Sequence, residues 1–194
     1  SDVLSKALAN VAKAKTVVLD GSALATLFLS KSFRCLNDIP LQLVVSYGTY
    51  RALRQLYMER LNSGGQGFLG KVGDRFVFQK DDPEARNRYL ENMAEFVGII
   101  ESKCKIVGGQ DFAKISKQER DKVEHLFGRP CGESIALAMN DESVLWLDDL
   151  PVAQLSASTY RVKYAWTQAV ICHGCESGWF SEDLLVTVSL ELLQ

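Results

Sequence analysis

The chain has 194 residues, a formal net charge of −2 and five cysteines. That length suffices for one well-buried domain, and 47% hydrophobic with 24% charged residues is the mix of an ordinary soluble globular protein. The small net charge excludes a globally basic nucleic-acid binder, so any such contact must be a local patch, and no apolar run reaches the ~20 residues that a bilayer span needs.

The odd set Cys35, Cys104, Cys131, Cys172 and Cys175 does not suit a secreted disulfide framework. It predicts free thiols in a reducing, cytoplasmic setting. The opening SDVLSKALANVAKAK has neither the apolar core nor the cleavage site of a signal peptide. The chain begins without Met, as expected for a domain of a longer protein.

Residues 2–13 have a helical period, with Val3, Leu4, Leu8 and Val11 on one side. Thr16 to Leu19 reads as a short buried strand ending at Asp20, and Gly21-Ser22 turns into a helix to Leu29. Leu41 to Val45 is a second buried strand, followed by a helix from Thr49 to Leu61 that Asn62-Ser63-Gly64-Gly65 stops. Between Gly67 and Lys80, Gly73-Asp74 separates two strand-like runs, the pattern of a β-hairpin. Asp82-Pro83 caps and opens a long helix to Cys104. Lys105 to Val107 is a short strand, and Ser116-Lys117-Gln118-Glu119 fits a capping box. A helix opening at Gly132-Glu133, a strand ending at Asp148-Asp149 and a further helix to Ser158 follow. Tyr160 to Tyr164 is the next expected strand, and helices over 166–175 and 181–193 close the chain.

Strands alternating with helices predict an α/β domain with a mainly parallel sheet. Ligands in such sheets bind outside the carboxyl ends of the strands. Asp20 and Asp148 both fall at such ends, which unites them despite their separation in sequence. In GESIALAMNDESVLWLDD, Glu133 at a helix start and Asp148-Asp149 at a strand end complete a carboxylate cluster. Clustered carboxylates repel unless they hold a cation, and hard ions such as Mg²⁺ or Mn²⁺ take oxygen ligands. Capping explains some of these acids equally well: Asp20 and Asp149 suit helix N-caps, and Glu133 suits a first helical turn.

The order VVLDGS, Gly132-Glu133 and Leu147-Asp148-Asp149 resembles the PIN domain family, over roughly residues 15–172. The resemblance implies a three-layer α/β/α sandwich and a Mg²⁺- or Mn²⁺-dependent endoribonuclease that cuts RNA. It implies Asp20, Glu133, Asp148 and Asp149 as catalytic and metal-binding acids, with Ser22 and Thr167 in support. It further implies a core over 15–61 and 116–172, a hairpin-and-helix insertion over 62–115, and C-terminal helices over 173–194, all in one domain. RNA, neighbouring domains of a longer chain and a second copy are the partners it suggests. The family also carries a Glu on the helix after the second strand. Here that position falls at or near Ala52, and Glu59 lies seven residues on. The departure keeps open an alternative, a degenerate PIN-like module that binds RNA or protein without cutting.

Three other features invite function. Arg51 and Arg54, one turn apart, offer bidentate contacts to RNA phosphates, or simply form a solvated helix face. Tyr47 and Tyr50 flank the same strand end and offer stacking surfaces. Cys172-His173-Gly174-Cys175 suggests zinc, but a structural zinc site wants four ligands and no second knuckle exists. Packing at a helix end is the simpler reading.

Overall fold

The computed structural model describes residues 2–63, 67–72, 75–79, 82–108 and 110–191. In chain order, α1 (Asp2–Lys13) leads into β1 (Thr16–Leu19), and Asp20 caps α2 (Gly21–Leu29). A 3₁₀ turn over Phe33–Asn37 precedes β2 (Gln42–Ser46). The next helix, α3 (Tyr47–Asn62), starts two residues before its expected origin because the Ser46 side chain accepts the Thr49 amide at 3.1 Å and so caps it.

The expected hairpin is present as antiparallel β3 (Phe68–Val72) and β4 (Arg75–Gln79); its Gly73-Asp74 turn lies outside the described residues, as do Gly64 and Gly65. Asp82 caps α4 (Pro83–Lys103) through the Glu84 amide, as its Asp-Pro start predicts. Then come β5 (Cys104–Val107), α5 (Gln110–Lys114) and α6 (Lys117–Phe127), whose start carries the Ser116 cap. Next are α7 (Arg129–Leu137), β6 (Ser143–Trp146) and α8 (Leu150–Tyr160). Helix α8 takes the first residue of the strand expected over 160–164 and ends at Arg161 in a left-handed turn, φ 58°. Only Tyr164–Ala165 remain as β7, followed by α9 (Thr167–Glu176) and α10 (Glu182–Glu191).

Five strands form one sheet in the order β5-β2-β1-β6-β7, and every neighbouring pair is parallel. Both faces are covered, so the central strands read as unbroken apolar runs. Alternate residues serve opposite faces. Val17, Leu19, Leu43, Val45 and Trp146 join a core with residues of α1, α2, α4 and α9. Val18, Val44, Leu145 and Leu147 join a second core with Ile135 of α7 and Ala153 of α8. The architecture is therefore three-layered, with the sheet between two helical layers.

The stretch 62–115, expected as an insertion, is not peripheral throughout. Strand β5 pairs with β2 as an edge of the main sheet. Met93, Phe96, Val97 and Ile100 of α4 are buried, three of them in the first core. Among the described residues no helix is long and apolar enough to cross a membrane.

Candidate functional site

Strand β1 is the middle of the sheet. From it the chain winds outward through β2 to β5, then returns to the other side through β6 to β7. The reversal opens a crevice between β1 and β6 at their carboxyl ends, where helices on either side diverge. Asp20 directly follows β1, and its amide donates to Trp146 O of β6 at 3.0 Å. Asp148 and Asp149 follow β6 at the same edge.

Ser22 ties the two strand ends together. Its hydroxyl donates to Asp20 Oδ2 at 3.3 Å and accepts the Asp148 amide at 3.1 Å. Asp20 Oδ2 also takes the Ser22 amide at 3.1 Å, capping α2. The other oxygen differs. Asp20 is only 5% exposed, and its Oδ1 is the one buried side-chain oxygen or nitrogen among the described residues without a hydrogen-bond partner. An unpaired buried carboxylate oxygen is costly.

The Asp148 carboxylate is clamped by the start of α9. Its Oδ1 takes the Thr167 amide at 2.6 Å, and its Oδ2 takes the Thr167 hydroxyl at 2.6 Å. The same hydroxyl accepts from the wholly buried Trp146 indole at 2.9 Å. Asp149 is exposed and caps α8 by accepting the Val152 amide at 3.1 Å. Three helix N-termini thus converge on the acids, and their partial positive charge offsets part of the mutual repulsion.

Glu133 stands elsewhere. Its helix begins at Arg129 rather than Gly132, with Pro130 in the first turn and Gly128 at φ 75° before it. Glu133 therefore sits in the second turn, not at the helix start. It is 4% exposed; its Oε2 accepts the Gly48 amide at the start of α3 at 2.8 Å, and its Oε1 accepts from Arg129 Nε at 3.1 Å. A Cβ on Gly48 would lie 2.7 Å from Glu133 Oε2 and 3.2 Å from Pro130 Cα, so a larger residue would have to displace the Glu133 carboxylate and ease α7 away.

Cys131, which the sequence reading passed over, takes the place facing Asp20. It is half-buried, within reach of the Asp20 and Asp149 charges. Burial, and then the Asp20 charge, push its thiol well up from the ordinary range. Hydrogen bonding to the Asp20 carboxylate acts on the thiol in the same direction. The signal was present in Gly128-Arg129-Pro130, which marks a helix start three residues before Gly132. Residues two apart on a helix point roughly 200° apart, so a helix that turns Cys131 to Asp20 turns Glu133 away.

Asp20 and Cys131 also line a pocket of about 470 Å³ between α2, α3 and α4, whose walls include Leu24, Phe28, Ala52 and Met93. Ala52, where an acid was expected, is thus an apolar wall. Glu59 lies further along α3, bonded to Gln55 at 2.9 Å. Among the described residues, no three His, Cys, Asp or Glu side chains stand close enough together to hold a metal ion.

Of the two arginines, Arg51 is exposed, whereas Arg54 pairs with Glu101 at 2.8 Å beside the Tyr50 hydroxyl. Cys172 and Cys175 are free thiols bonded locally, to Glu176 Oε1 and Ser181 O, at the end of α9. His173 packs edge-on against Trp179.

A family model described as "PIN domain associated with the TPR-GreAB-C-PIN system" matches residues 18–158, well over half of the chain. No curated protein and no solved structure gives a significant match.

Proposed function

The chain belongs to this PIN domain family, and we propose on that premise that it is a metal-dependent endoribonuclease hydrolysing RNA phosphodiester bonds with Mg²⁺ or Mn²⁺. The observation that carries the reading is Asp20 Oδ1, a buried, unpartnered carboxylate oxygen at the sheet's switch point. Hard divalent ions keep several waters and are often held by only one or two carboxylates. Asp20 and Asp149 fit that mode, because each has an oxygen outside its helix cap.

The residues divide the work. Asp20 would bind the ion directly. Ser22 holds Asp20 in register with Asp148, and Thr167 fixes the Asp148 carboxylate through both of its oxygens. Asp149, exposed to solvent, would orient a water and take up its proton. Glu133, paired with Arg129, would keep α7 docked on α3. When bound, the ion supplies a more acidic water and a polarised phosphoryl oxygen. Arg51, exposed on α3, and Arg129, with its guanidinium largely in solvent, would meet the RNA backbone. The family description favours neighbouring TPR and GreAB-C domains as partners.

The test is Mn²⁺ titration calorimetry and RNA cleavage on wild type, Asp20→Asn and Asp148→Ala. Asp20→Asn should lose the binding heat, and both variants should lose cleavage. Cleavage that survives in Asp20→Asn defeats the proposal.

A second reading, a PIN module that binds RNA or protein without cutting, is favoured by Ala52 in the pocket wall. It predicts RNA retention with no Mn²⁺-dependent product in wild type.

A further inference from the structure

One face of α3 runs from the acid edge to a basic end. Thr49, Ala52, Leu53 and Leu56 follow at helical spacing and line the pocket beside Asp20, and one turn on comes Arg60. From Ala52 to Arg60 the helix rises about 12 Å. Opposite, Phe96, Met93 and Tyr89 of α4 lead at the same spacing to Arg86. Tyr89 borders both the apolar pocket and a second cavity of about 340 Å³, whose lining includes Arg60, Arg86 and Asp82. The two cavities are therefore consecutive stretches of one groove.

This groove is open rather than a void in the core. At its rim Leu29 is 73% exposed and Leu56 41%, while Phe28 and Tyr89 are half-buried, with ring centroids 5.4 Å apart. Apolar surface left open to water in this way marks a ligand groove. Ala52 is exposed and small, so the groove stays wide where a longer side chain would fill it.

The two ends differ in charge. Asp20 stands at one. At the other, Arg60 is exposed, Arg86 gives one terminal nitrogen to the carbonyls of Arg60, Leu61 and Ser63, and the Asp82 carboxylate caps α4. Two cations thus meet one acid, which favours an anion. A ligand with a planar apolar body and an anionic group beyond it matches the whole groove. A nucleobase with its backbone phosphate has that form: the base stacks on aromatic rings, and arginine takes the phosphate. A hydrocarbon chain with an anionic head would use the same ends, but the aromatic wall and the position beside the acid edge favour the base.

We propose that the groove between α3 and α4 holds one unstacked nucleobase of single-stranded RNA, with its phosphate at Arg60 and Arg86. The proposal rests on the reading of RNA as the substrate, adds the form in which RNA is bound, and needs no metal.

The full chain is titrated in EDTA with a fluorescently labelled single-stranded RNA, read by anisotropy, as wild type, Ala52→Trp, Arg60→Glu and Val186→Trp, each checked for native circular dichroism. Ala52→Trp fills the groove and should weaken binding at least about fivefold, the lower scale for one stacked base. Arg60→Glu should weaken it and lower the salt slope by about one. Val186→Trp, exposed on α10, should bind as wild type does. An oligonucleotide of the same length with abasic positions should bind wild type at least about fivefold more weakly, and Ala52→Trp should not distinguish the two. If Ala52→Trp does not fold, Leu29→Asp at the exposed rim serves and should weaken binding on the same scale. Equal affinity of wild type for the abasic chain, or RNA binding unchanged in a folded groove variant, overturns the proposal. Dodecanoate binding that depends on Ala52 while RNA binding does not would assign the groove to a hydrocarbon chain and overturn it too. Mn²⁺-dependent cleavage in wild type, with RNA binding and cleavage unchanged in Ala52→Trp, removes this inference and leaves the nuclease reading standing. Groove-dependent RNA binding without cleavage removes the nuclease reading and leaves this one, and a wild type that binds no RNA removes both.

Discussion

Replacing Thr167 with Val tests whether the Asp148 clamp is a structural keystone of the site. Thr167 is 1% exposed, and its hydroxyl donates to Asp148 Oδ2 at 2.6 Å and accepts from Trp146 Nε1 at 2.9 Å. Val fills nearly the same space, so no cavity opens, and the bond from the residue 167 amide to Asp148 Oδ1 survives. What disappears is one hydrogen bond to a carboxylate, about 1.5–3 kcal/mol. The Trp146 indole N–H, in a residue 0% exposed, is left without its acceptor, a cost of about 1–3 kcal/mol. The two losses share one atom and are not additive, so the expected destabilisation is about 3 kcal/mol. Against a total of roughly 5–15 kcal/mol for a domain, the variant should still fold. Thr167→Ser is the control: it keeps the hydroxyl and removes one methyl, at a cost of about 1 kcal/mol. Urea unfolding should show a lower midpoint at unchanged slope. If Val is tolerated as well as Ser, the hydroxyl is not holding Trp146 and Asp148, and the account of the clamp fails.

Other outcomes follow from the same geometry. Gly48→Ala should destabilise by about 1–3 kcal/mol, because its Cβ would strike Glu133 Oε2 and the Pro130 backbone. Helix propensity alone would make Ala stabilising by up to ~1 kcal/mol, so a rise in thermal midpoint would contradict the close approach of α3 and α7. Burial pushes the Cys35 and Cys104 thiols up to about 12, from 9.0 for an ordinary thiol. Folded protein therefore keeps protons that unfolded chain has lost, and stability should be intact below about pH 9 and fall as pH rises toward 12. The slope is about 1.4 kcal/mol per pH unit for each thiol. Urea midpoints measured upward from pH 8 should decline less steeply in Cys35→Ala/Cys104→Ala than in wild type; parallel curves would show that the thiols do not set the alkaline limb.

The elements were legible wherever period and cap agreed. Apolar runs such as Thr16 to Leu19, the Asp82-Pro83 start and the Ser116 cap carry their own local chemistry, and the structure follows them. So does the placement of Asp20 and Asp148 at one edge, because a parallel sheet returns every strand end to the same side. Boundaries set by competing signals were less legible. Gly132-Glu133 looks like a helix start, but Gly128 and Pro130 open α7 earlier, and Tyr160 goes to α8 rather than to a strand.

Sequence by itself thus determined the layered α/β fold, the parallel sheet and the edge on which the acids gather, since these rest on local propensity and on the alternation of strand and helix. Tertiary structure decided which side chains meet there. The phase of α7, set by its docking on α3 through Gly48, turns Glu133 toward Arg129 and Cys131 toward Asp20. Rotation about a helix axis is fixed by what the helix packs against, and a linear sequence does not state its neighbours. For the same reason only the folded chain shows that Thr167 satisfies both oxygens of Asp148 while one oxygen of Asp20 is left without a partner.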